Sequence, residues 1–207
     1  MPTKPRINYM EKLGQSTPTI KTGHETLILQ SKSLNFSLLH FWQWSVSDIL
    51  SNATRGRLAE FIVATAVNID IKVVRNEWSK YDLETPDKIK LEIKSAAYLQ
   101  SWYQSEKSKI SFSIKSSRGW ERETNRQSDK SERHADVYVF CLLKHEDKET
   151  VNPLDLSQWE FYVLSVKQVN NYERSQHSIT LKSLRKLTGA VDYNKLSDEI
   201  KTKNALN

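Results

Sequence analysis

The sequence is poor in cysteine and glycine, and both shortages exclude common enzyme classes. Cys141 is the single cysteine and lies in the apolar run DVYVFCLL, so no internal disulfide can form, and no Cys and His spacing suits a zinc site. With five glycines the chain has no phosphate-binding glycine loop, and no serine occupies a nucleophile-elbow motif. P-loop nucleotide-binding enzymes and serine hydrolases are therefore excluded, and a reducing cytoplasmic location is expected.

Long apolar runs are also missing. The N-terminal stretch has no apolar core of signal-peptide length, and the most apolar later segment, LAEFIVATAV, is short and contains an acid. We therefore expect a soluble protein that neither crosses nor binds a membrane.

The chain does have a moderate excess of positive charge and enough length for one domain. Its 207 residues include 31 Lys and Arg against 25 Asp and Glu, which gives a net charge of +6 and favours a polyanionic partner such as nucleic acid. Residues 1–35 are polar and contain Pro2, Pro5 and Pro18, so we interpret them as an N-terminal arm. Residues 36–207 are expected to form a single α/β domain that includes a C-terminal helix.

Helical and strand patterns follow the arm. One helix is predicted after Ser37, and a second, capped by Ser47 or Asn52, is apolar on nearly all sides and should be buried, with Glu60 as the one acid of its apolar run. Runs of β-branched and aromatic residues predict strands over 71–78, 89–95, 109–114, 136–144 and 159–166. The charged stretch 115–135 is interpreted as a mobile surface loop or a substrate-contacting loop.

Residues 81–95, YDLETPDKIKLEIKS, carry acids and lysines on what is otherwise a β-hairpin pattern. Pro86 and Asp87 are typical turn residues, so the chain should fold back around residues 86–88. Charges within a sheet are costly unless they are paired, metal-bound or solvated, so this hairpin either faces water or carries chemistry.

The length of the turn decides which side chains share a face of the hairpin. A three-residue loop with Lys88 in the left-handed conformation places Asp82 directly opposite Glu92. A two-residue turn places Asp82 opposite Leu91 instead and sends the two carboxylates to opposite faces. The alternation of the second strand keeps Glu92 and Lys94 neighbours in either case.

In the first register, Asp82, Glu92 and Lys94 suit metal-dependent phosphate chemistry. Two carboxylates about 5 Å apart at the backbone supply the oxygen ligands that Mg²⁺ prefers. The metal can stabilise charge on an attacked phosphate and lower the pKa of a bound water, while the lysine can orient or deprotonate that water. The alternative is an exposed sheet face with cross-strand ion pairs.

The order of these residues resembles the PD-(D/E)XK nuclease superfamily. Asp82, then Glu92, then Lys94 two residues later follow a helix that carries Glu60, and the resemblance extends over residues 55–143. It implies a restriction-endonuclease-like α/β fold, with a central mixed β-sheet flanked by helices, in a nuclease-like domain. It also implies that Asp82 and Glu92 bind Mg²⁺, that Lys94 acts on the attacking water, and that Glu60 is an accessory carboxylate.

The function implied by the resemblance is that of a Mg²⁺-dependent DNA endonuclease in which Mn²⁺ can substitute. A homodimer is expected, because cutting both strands with one site per chain commonly requires two copies. The alternatives are a non-catalytic DNA-binding module on the same fold, whose acids are ion-paired, and an interaction protein whose basic charge is incidental.

Other residues of the same types have competing interpretations. Asp87, although preceded by proline, lies at the turn tip, too far along the hairpin to share a metal with Glu92, and a second Glu-x-Lys at 199–201 is interpreted as a solvated helix face. Candidates for positioning substrate or capping strands are Ser95, Gln104, His134 and Asp136. Candidate DNA contacts are Arg118, Arg122 and Arg133, although the acids interleaved with them also suit a solvated loop.

Overall fold

The computed structural model describes residues 16–121 and 126–207, which form an α/β structure. The strands are β1 (Thr26–Leu29), β2 (Lys32–Ser37), β3 (Leu83–Glu84), β4 (Lys90–Ala97), β5 (Ser111–Ser113), β6 (Ser117–Glu121), β7 (Arg126–Glu132), β8 (Val137–Leu143), β9 (Trp159–Ser165) and β10 (Ser178–Thr180). The helices are α1 (Leu38–Val46), α2 (Asn52–Ala66), α3 (Val166–Asn170), α4 (Leu181–Leu187) and α5 (Leu196–Asn204). In this described part of the chain, no helix is long and apolar enough to cross a membrane.

The central sheet is mixed and has four strands in the order β3-β4-β8-β9. Strand β4 pairs antiparallel with β3 and parallel with β8, and β8 pairs antiparallel with β9. All seven residues of β8 are buried, as expected for a central strand that is covered on both faces. Helices α2 and α5 pack on one face, and α4 packs on the other with β5 and β10. The predicted mixed sheet with flanking helices is therefore confirmed.

Alternation along β4 separates the two faces of the sheet. Leu91 and Ile93 are buried and join the core that contains Ala59 and Val63 of α2. The residues between and beside them are only partly buried and point to the opposite face: Lys90, Glu92 and Lys94. The charged side chains of the hairpin thus lie on the face away from the α2 core.

Three stretches differ from the predicted elements. Residues 71–78 form turns and irregular backbone, are exposed, and pair with no strand of the described structure, so their β propensity is not supported by a partner. The charged stretch 115–135, predicted to be a loop, contains the hairpin β6–β7. Because this hairpin is largely exposed, it forms without an apolar face. Residues 26–37, at the end of the predicted arm, contain the hairpin β1–β2. Residues 1–15 lie outside the described residues, and the division at residue 35 stays a prediction.

Helix α2 is buried on one side only, so the expectation of a helix covered all round is wrong. Ala59, Ile62 and Val63 face the core, whereas Phe61 is half exposed. The sheet and α5 cover this one side of the helix, and its apolar residues on the other side remain at the surface.

The turn between β3 and β4 has the three-residue form. Leu83 pairs with Leu91, Thr85 N donates to Ile89 O at 2.9 Å, and Lys88 has a φ of 66°. This confirms the predicted odd-length loop with a left-handed residue at its end. The pairing ends at Leu83, and Asp82, just before β3, donates its N–H to Leu91 O, so the placement of Asp82 opposite Glu92 stays a prediction.

Replacing Lys88 by glycine should stabilise the protein. A left-handed backbone strains a residue with a Cβ but not glycine, so we expect Lys88→Gly to raise the free energy of unfolding by roughly 0.5–1 kcal/mol, measured in urea. The ion pair of Lys88 with Glu84 is highly exposed and contributes little. The control is Asp87→Gly, where φ is not positive and no gain is expected. Equal effects of the two changes would contradict the strained turn.

Candidate active site

Strand β4 presents Glu92 and Lys94 side by side. The two residues are two positions apart on one face, and Lys94 Nζ lies 2.5 Å from Glu92 Oε1. Both side chains are largely shielded, with 21% of Glu92 and 28% of Lys94 exposed. An ion pair with so little solvent around it is much less screened than one at the surface.

Asp82 immediately precedes β3 and is held against β4 by two backbone contacts. Its own N–H donates to Leu91 O at 3.0 Å, and its Oδ2 accepts from Ile93 N at 2.7 Å. Ile93 stands between Glu92 and Lys94 in the strand. The Asp82 carboxylate is therefore bound to the backbone of the residue that lies between Glu92 and Lys94.

Glu60 lies on α2 and is a shielded carboxylate. Only 17% of its side chain is exposed, and Arg75 Nη2 lies 2.8 Å from its Oε2. That oxygen is fully buried yet accepts no hydrogen bond of good geometry from any described residue. Burial raises the pKa of Glu60, Arg75 opposes this effect, and the charge of Asp82 adds to it.

Electrostatic coupling connects all four predicted residues. Burial raises the pKa of Glu92, Lys94 opposes the rise, and the negative charge of Asp82 reinforces it. Asp82 raises and Lys94 lowers the pKa of Glu60 as well. Glu60 and Glu92 are thus influenced by the same acid and the same ammonium, so the structure brings the four residues into one electrostatic neighbourhood.

Two further residues lie near Glu92: Tyr138 on β8 and His134 just before that strand. Tyr138 is the register partner of Glu92, and burial, followed by the charge of Glu92, raises the pKa of its hydroxyl. The positive form of His134 would lower the pKa of Glu92, although the ring lies 3.4 Å from Glu132 and contacts Ser117 O at 3.2 Å. Tyr138 was missed by sequence reasoning, because a tyrosine in an apolar strand has the pattern of a core residue.

The described residues include no group of three or more His, Cys, Asp or Glu side chains arranged to hold a metal ion. Mg²⁺ does not require such a group, since it commonly keeps several waters and binds through one or two carboxylates together with substrate phosphates. Asp82 and Glu92 stay the predicted pair for this mode, and the raised pKa of Glu92 arises from burial, which outweighs the effect of its ion pair with Lys94.

Comparison with known families bears on this arrangement. The sequence model of the family described as bacteriophage T4 endonuclease IV matches residues 31–183, which is more than half of the chain. The chain belongs to the bacteriophage T4 endonuclease IV family. The family name describes an endonuclease, and an endonuclease is a hydrolase. No curated protein sequence matches the chain.

The segment that matches the endonuclease IV family contains Glu60, Asp82, Glu92 and Lys94. It ends at residue 183, before α5 begins, and so leaves out the second Glu-x-Lys. The family match and the clustered charged residues therefore occupy the same part of the chain.

The residues set aside as turn or surface features are structural in this endonuclease IV family member. Asp87 is at the turn, 62% exposed, and lies 3.3 Å from Lys201. Glu199 pairs with Lys203 on α5 at 3.3 Å. Asp136, which was considered for the substrate rim, accepts from Lys90 N at 2.9 Å and thereby ties β4 to the start of β8.

Of the three predicted DNA contacts, one is exposed, one lies outside the described residues, and one is hydrogen-bonded within the fold. Arg118 is exposed on β6, and Arg122 lies outside the described residues. Arg133 donates to Ile114 O at 2.7 and 3.1 Å and to Asn170 Oδ1 at 2.8 Å, so its guanidinium is engaged within the fold. Gln104 binds the backbone N–H of Gln100 at 2.6 Å and shapes the loop after β4.

Arg55 is a functional candidate that sequence reasoning missed. It is 3% exposed, and its guanidinium donates to Ser95 Oγ, Gln100 Oε1, Asn52 Oδ1 and Leu50 O at 2.6–3.3 Å. All four acceptors are neutral, and burial lowers the pKa of Arg55. The sequence places Arg55 in α2, five residues before Glu60. No sequence pattern indicates that it donates to Gln100, which follows β4.

Proposed function

We propose that this protein is a Mg²⁺-dependent DNA endonuclease that hydrolyses phosphodiester bonds. The observation that carries the proposal is the Asp82 carboxylate bound to the backbone N–H of Ile93, beside the Glu92 and Lys94 pair. Membership of the endonuclease IV family supports DNA cleavage. Homodimer formation and a cytoplasmic location stay predictions.

We further propose that the domain is a restriction-endonuclease-like fold of the PD-(D/E)XK type. Its support is the order of elements: a helix with Glu60, a hairpin with Asp82 and Glu92, and a buried strand parallel to the second hairpin strand. The mixed sheet with helices on both faces is compatible with this fold.

In this mechanism Asp82 and Glu92 would hold Mg²⁺, and the Mg²⁺ would supply charge neutralisation at the attacked phosphate and a lowered pKa for water. The protein contributes the positions of these carboxylates. Asp82 is oriented by Ile93 N–H, and Glu92 is oriented by Lys94. Neither ligand has to be drawn from solvent into the site when the substrate arrives.

Lys94 and Glu60 would complete the chemistry from the protein side. Lys94 Nζ is held at the carboxylate of Glu92, where its positive charge can orient a water and balance the negative charge of the phosphate. Glu60, whose Oε2 is paired with Arg75 Nη2 at 2.8 Å, would supply an accessory carboxylate from α2.

The test is a metal titration with two readouts. We expect plasmid DNA to be nicked or cut with Mg²⁺ or Mn²⁺ and left intact in EDTA. In the absence of DNA, Mn²⁺ should raise the melting temperature, because a ligand that binds only the folded state stabilises it by mass action. Ca²⁺ serves as a control for binding without hydrolysis. Cleavage in EDTA equal to that in Mg²⁺ would overturn the metal mechanism.

The non-catalytic DNA-binding module remains the second candidate, and the 2.5 Å contact of Lys94 with Glu92 is the observation in its favour. If that ion pair is only a sheet-face contact, Mn²⁺ should leave the melting temperature unchanged and DNA should bind without being cut. This combination of results would replace the first proposal by the second.

A further inference from the structure

Two adjoining clefts extend from the candidate active site. The inner cleft, of about 330 Å³, lies between the start of α2 and the second half of β4, and Arg55, Lys94 and Lys109 are its cations. The outer cleft, of about 690 Å³, is lined by the end of β10 and the start of α4. Lys109 and its two neighbours line both clefts, so the two clefts adjoin along this segment, and together they are called the groove.

The groove is positively charged along its whole length. Its six cations are Arg55, Lys94, Lys109, Arg174, Lys182 and Lys186. Among the described residues that line either cleft there is no Asp or Glu. The chain as a whole has 25 acidic for 31 basic residues, so this segregation of charge is a local property and does not follow from composition.

Most of these cations also lack an acidic partner. In residues 16–121 and 126–207, Lys94 is the one groove cation with a carboxylate within 4.0 Å. Outside the groove, some surface cations have one, as Lys144 does with Glu160, Lys195 with Asp192 and Lys201 with Asp87. The five groove cations without such a partner leave a net positive field in the two clefts.

Arg55 brings a buried positive charge to the inner cleft, where the charge of Asp48 acts on it but no described carboxylate lies within 4.0 Å. Its four acceptors are neutral, and it is held rigidly by them beneath the second half of β4. Strand β3 pairs only with Lys90 and Leu91, so this part of β4 is an open sheet edge within the described structure. An anion at that edge would add a countercharge close to the guanidinium.

We propose that the groove is the path of the DNA backbone away from the cleavage site, with phosphates bound at Lys109, Arg174, Lys182 and Lys186. The proposal rests on the proposed function, because Lys94 belongs to both the groove and the active site. Charge complementarity selects a polyanion, and a groove continuous with the site selects the substrate itself as the occupant. Tyr98, which lines the outer cleft and is partly buried, offers a ring on which a base can stack.

The matched experiment compares two double variants with the same change of charge. Lys182→Ala with Lys186→Ala removes two groove cations on α4, and Lys195→Ala with Lys201→Ala removes two cations outside it. Binding of a fluorescent DNA oligonucleotide, single-stranded or duplex, is measured in EDTA over a range of salt concentrations. Because no metal is present, cleavage does not enter the measurement.

We expect the groove variant to bind on the order of tenfold more weakly than the control variant near 0.1 M salt. The slope of log affinity against log salt should fall by about 1.8 for duplex or about 1.4 for single-stranded DNA, since each lost phosphate contact removes about 0.9 or 0.7. Equal affinity of the two variants overturns the proposal. Weaker binding with an unchanged salt slope overturns it as well, because the lost contact would not be ionic.

Two further variants keep the outcome interpretable. If melting shows that the α4 variant is unfolded, Lys109→Ala with Arg174→Ala tests the same groove from exposed loop positions. Glu92→Gln separates this proposal from the enzymatic one: it should bind DNA normally and fail to cut it. Groove variants that bind DNA with the same affinity and salt slope as the control variant, while Mg²⁺-dependent cleavage stays intact, would refute the path alone, whereas absence of any cleavage would refute the enzyme alone.

Discussion

Glu92→Gln should lower the rate of Mg²⁺-dependent DNA cleavage by on the order of 10³-fold, because an amide of the same shape loses the charge of a metal-binding carboxylate. Folding should be preserved, since Glu92 is a desolvated acid whose raised pKa marks the cost of keeping it charged. The measurement is single-turnover cleavage of plasmid DNA at saturating protein concentration, so that a change in binding does not enter the rate.

The sequence supplies its own control for this variant. Glu199 begins a second Glu-x-Lys but pairs with Lys203 on α5, so Glu199→Gln should cleave at the wild-type rate. Lys94→Ala and Lys201→Ala form the same comparison for the lysines, with loss expected only at Lys94. If Glu92→Gln and Glu199→Gln cut equally well, the hairpin does not carry the chemistry.

Arg55→Ala should cost about 3 kcal/mol of unfolding free energy, which makes it the largest stability effect we expect from a charged residue here. The change removes a guanidinium that donates to four acceptors and leaves Gln100 Oε1 and Leu50 O short of a donor. Arg55→Lys should also lower the free energy of unfolding by about 2 kcal/mol, because a single ammonium cannot replace the several donors of the planar guanidinium. Urea denaturation of the two variants measures both values.

Arg57 is the matched control, since it lies two positions away on the same helix but its side chain is 63% exposed and pairs with Glu77 at 3.5 Å. Arg57→Ala should change the unfolding free energy by less than about 1 kcal/mol. Similar losses at Arg55 and Arg57 would show that the buried network contributes no more than a surface ion pair.

The local part of the candidate site could be predicted from sequence because its geometry depends on a short stretch. The residues Pro86 and Asp87 and the alternation after Lys88 determine the turn and the register of β3 against β4. Such a hairpin needs no information from the rest of the chain. The helix carrying Glu60 was predicted for the same reason, from a periodic pattern, although its half-exposed state was not.

The remainder depends on contacts between distant segments, which one sequence does not encode in a readable way. The groove combines Arg55, Lys109 and Lys186, and the first and last of these are more than one hundred positions apart. Arg133 was a reasonable DNA contact by charge, yet its donors are engaged by backbone and side-chain oxygens within the fold. The β-rich stretch 71–78 lacked a strand partner, and its propensity alone could not provide one.

The position of β8 in the chain, far from its partner β4, affects how the protein folds. Its parallel neighbour β4 lies about fifty residues earlier in the chain, and its antiparallel neighbour β9 is synthesised after it. Pairing over such separations is slow, because loop-closure entropy is lost before contacts repay it. Until both neighbours arrive, the uncharged run VYVFCLL is available to other chains. Refolding yield should therefore fall as protein concentration rises, and it should depend on how rapidly β8 pairs with β4 and β9.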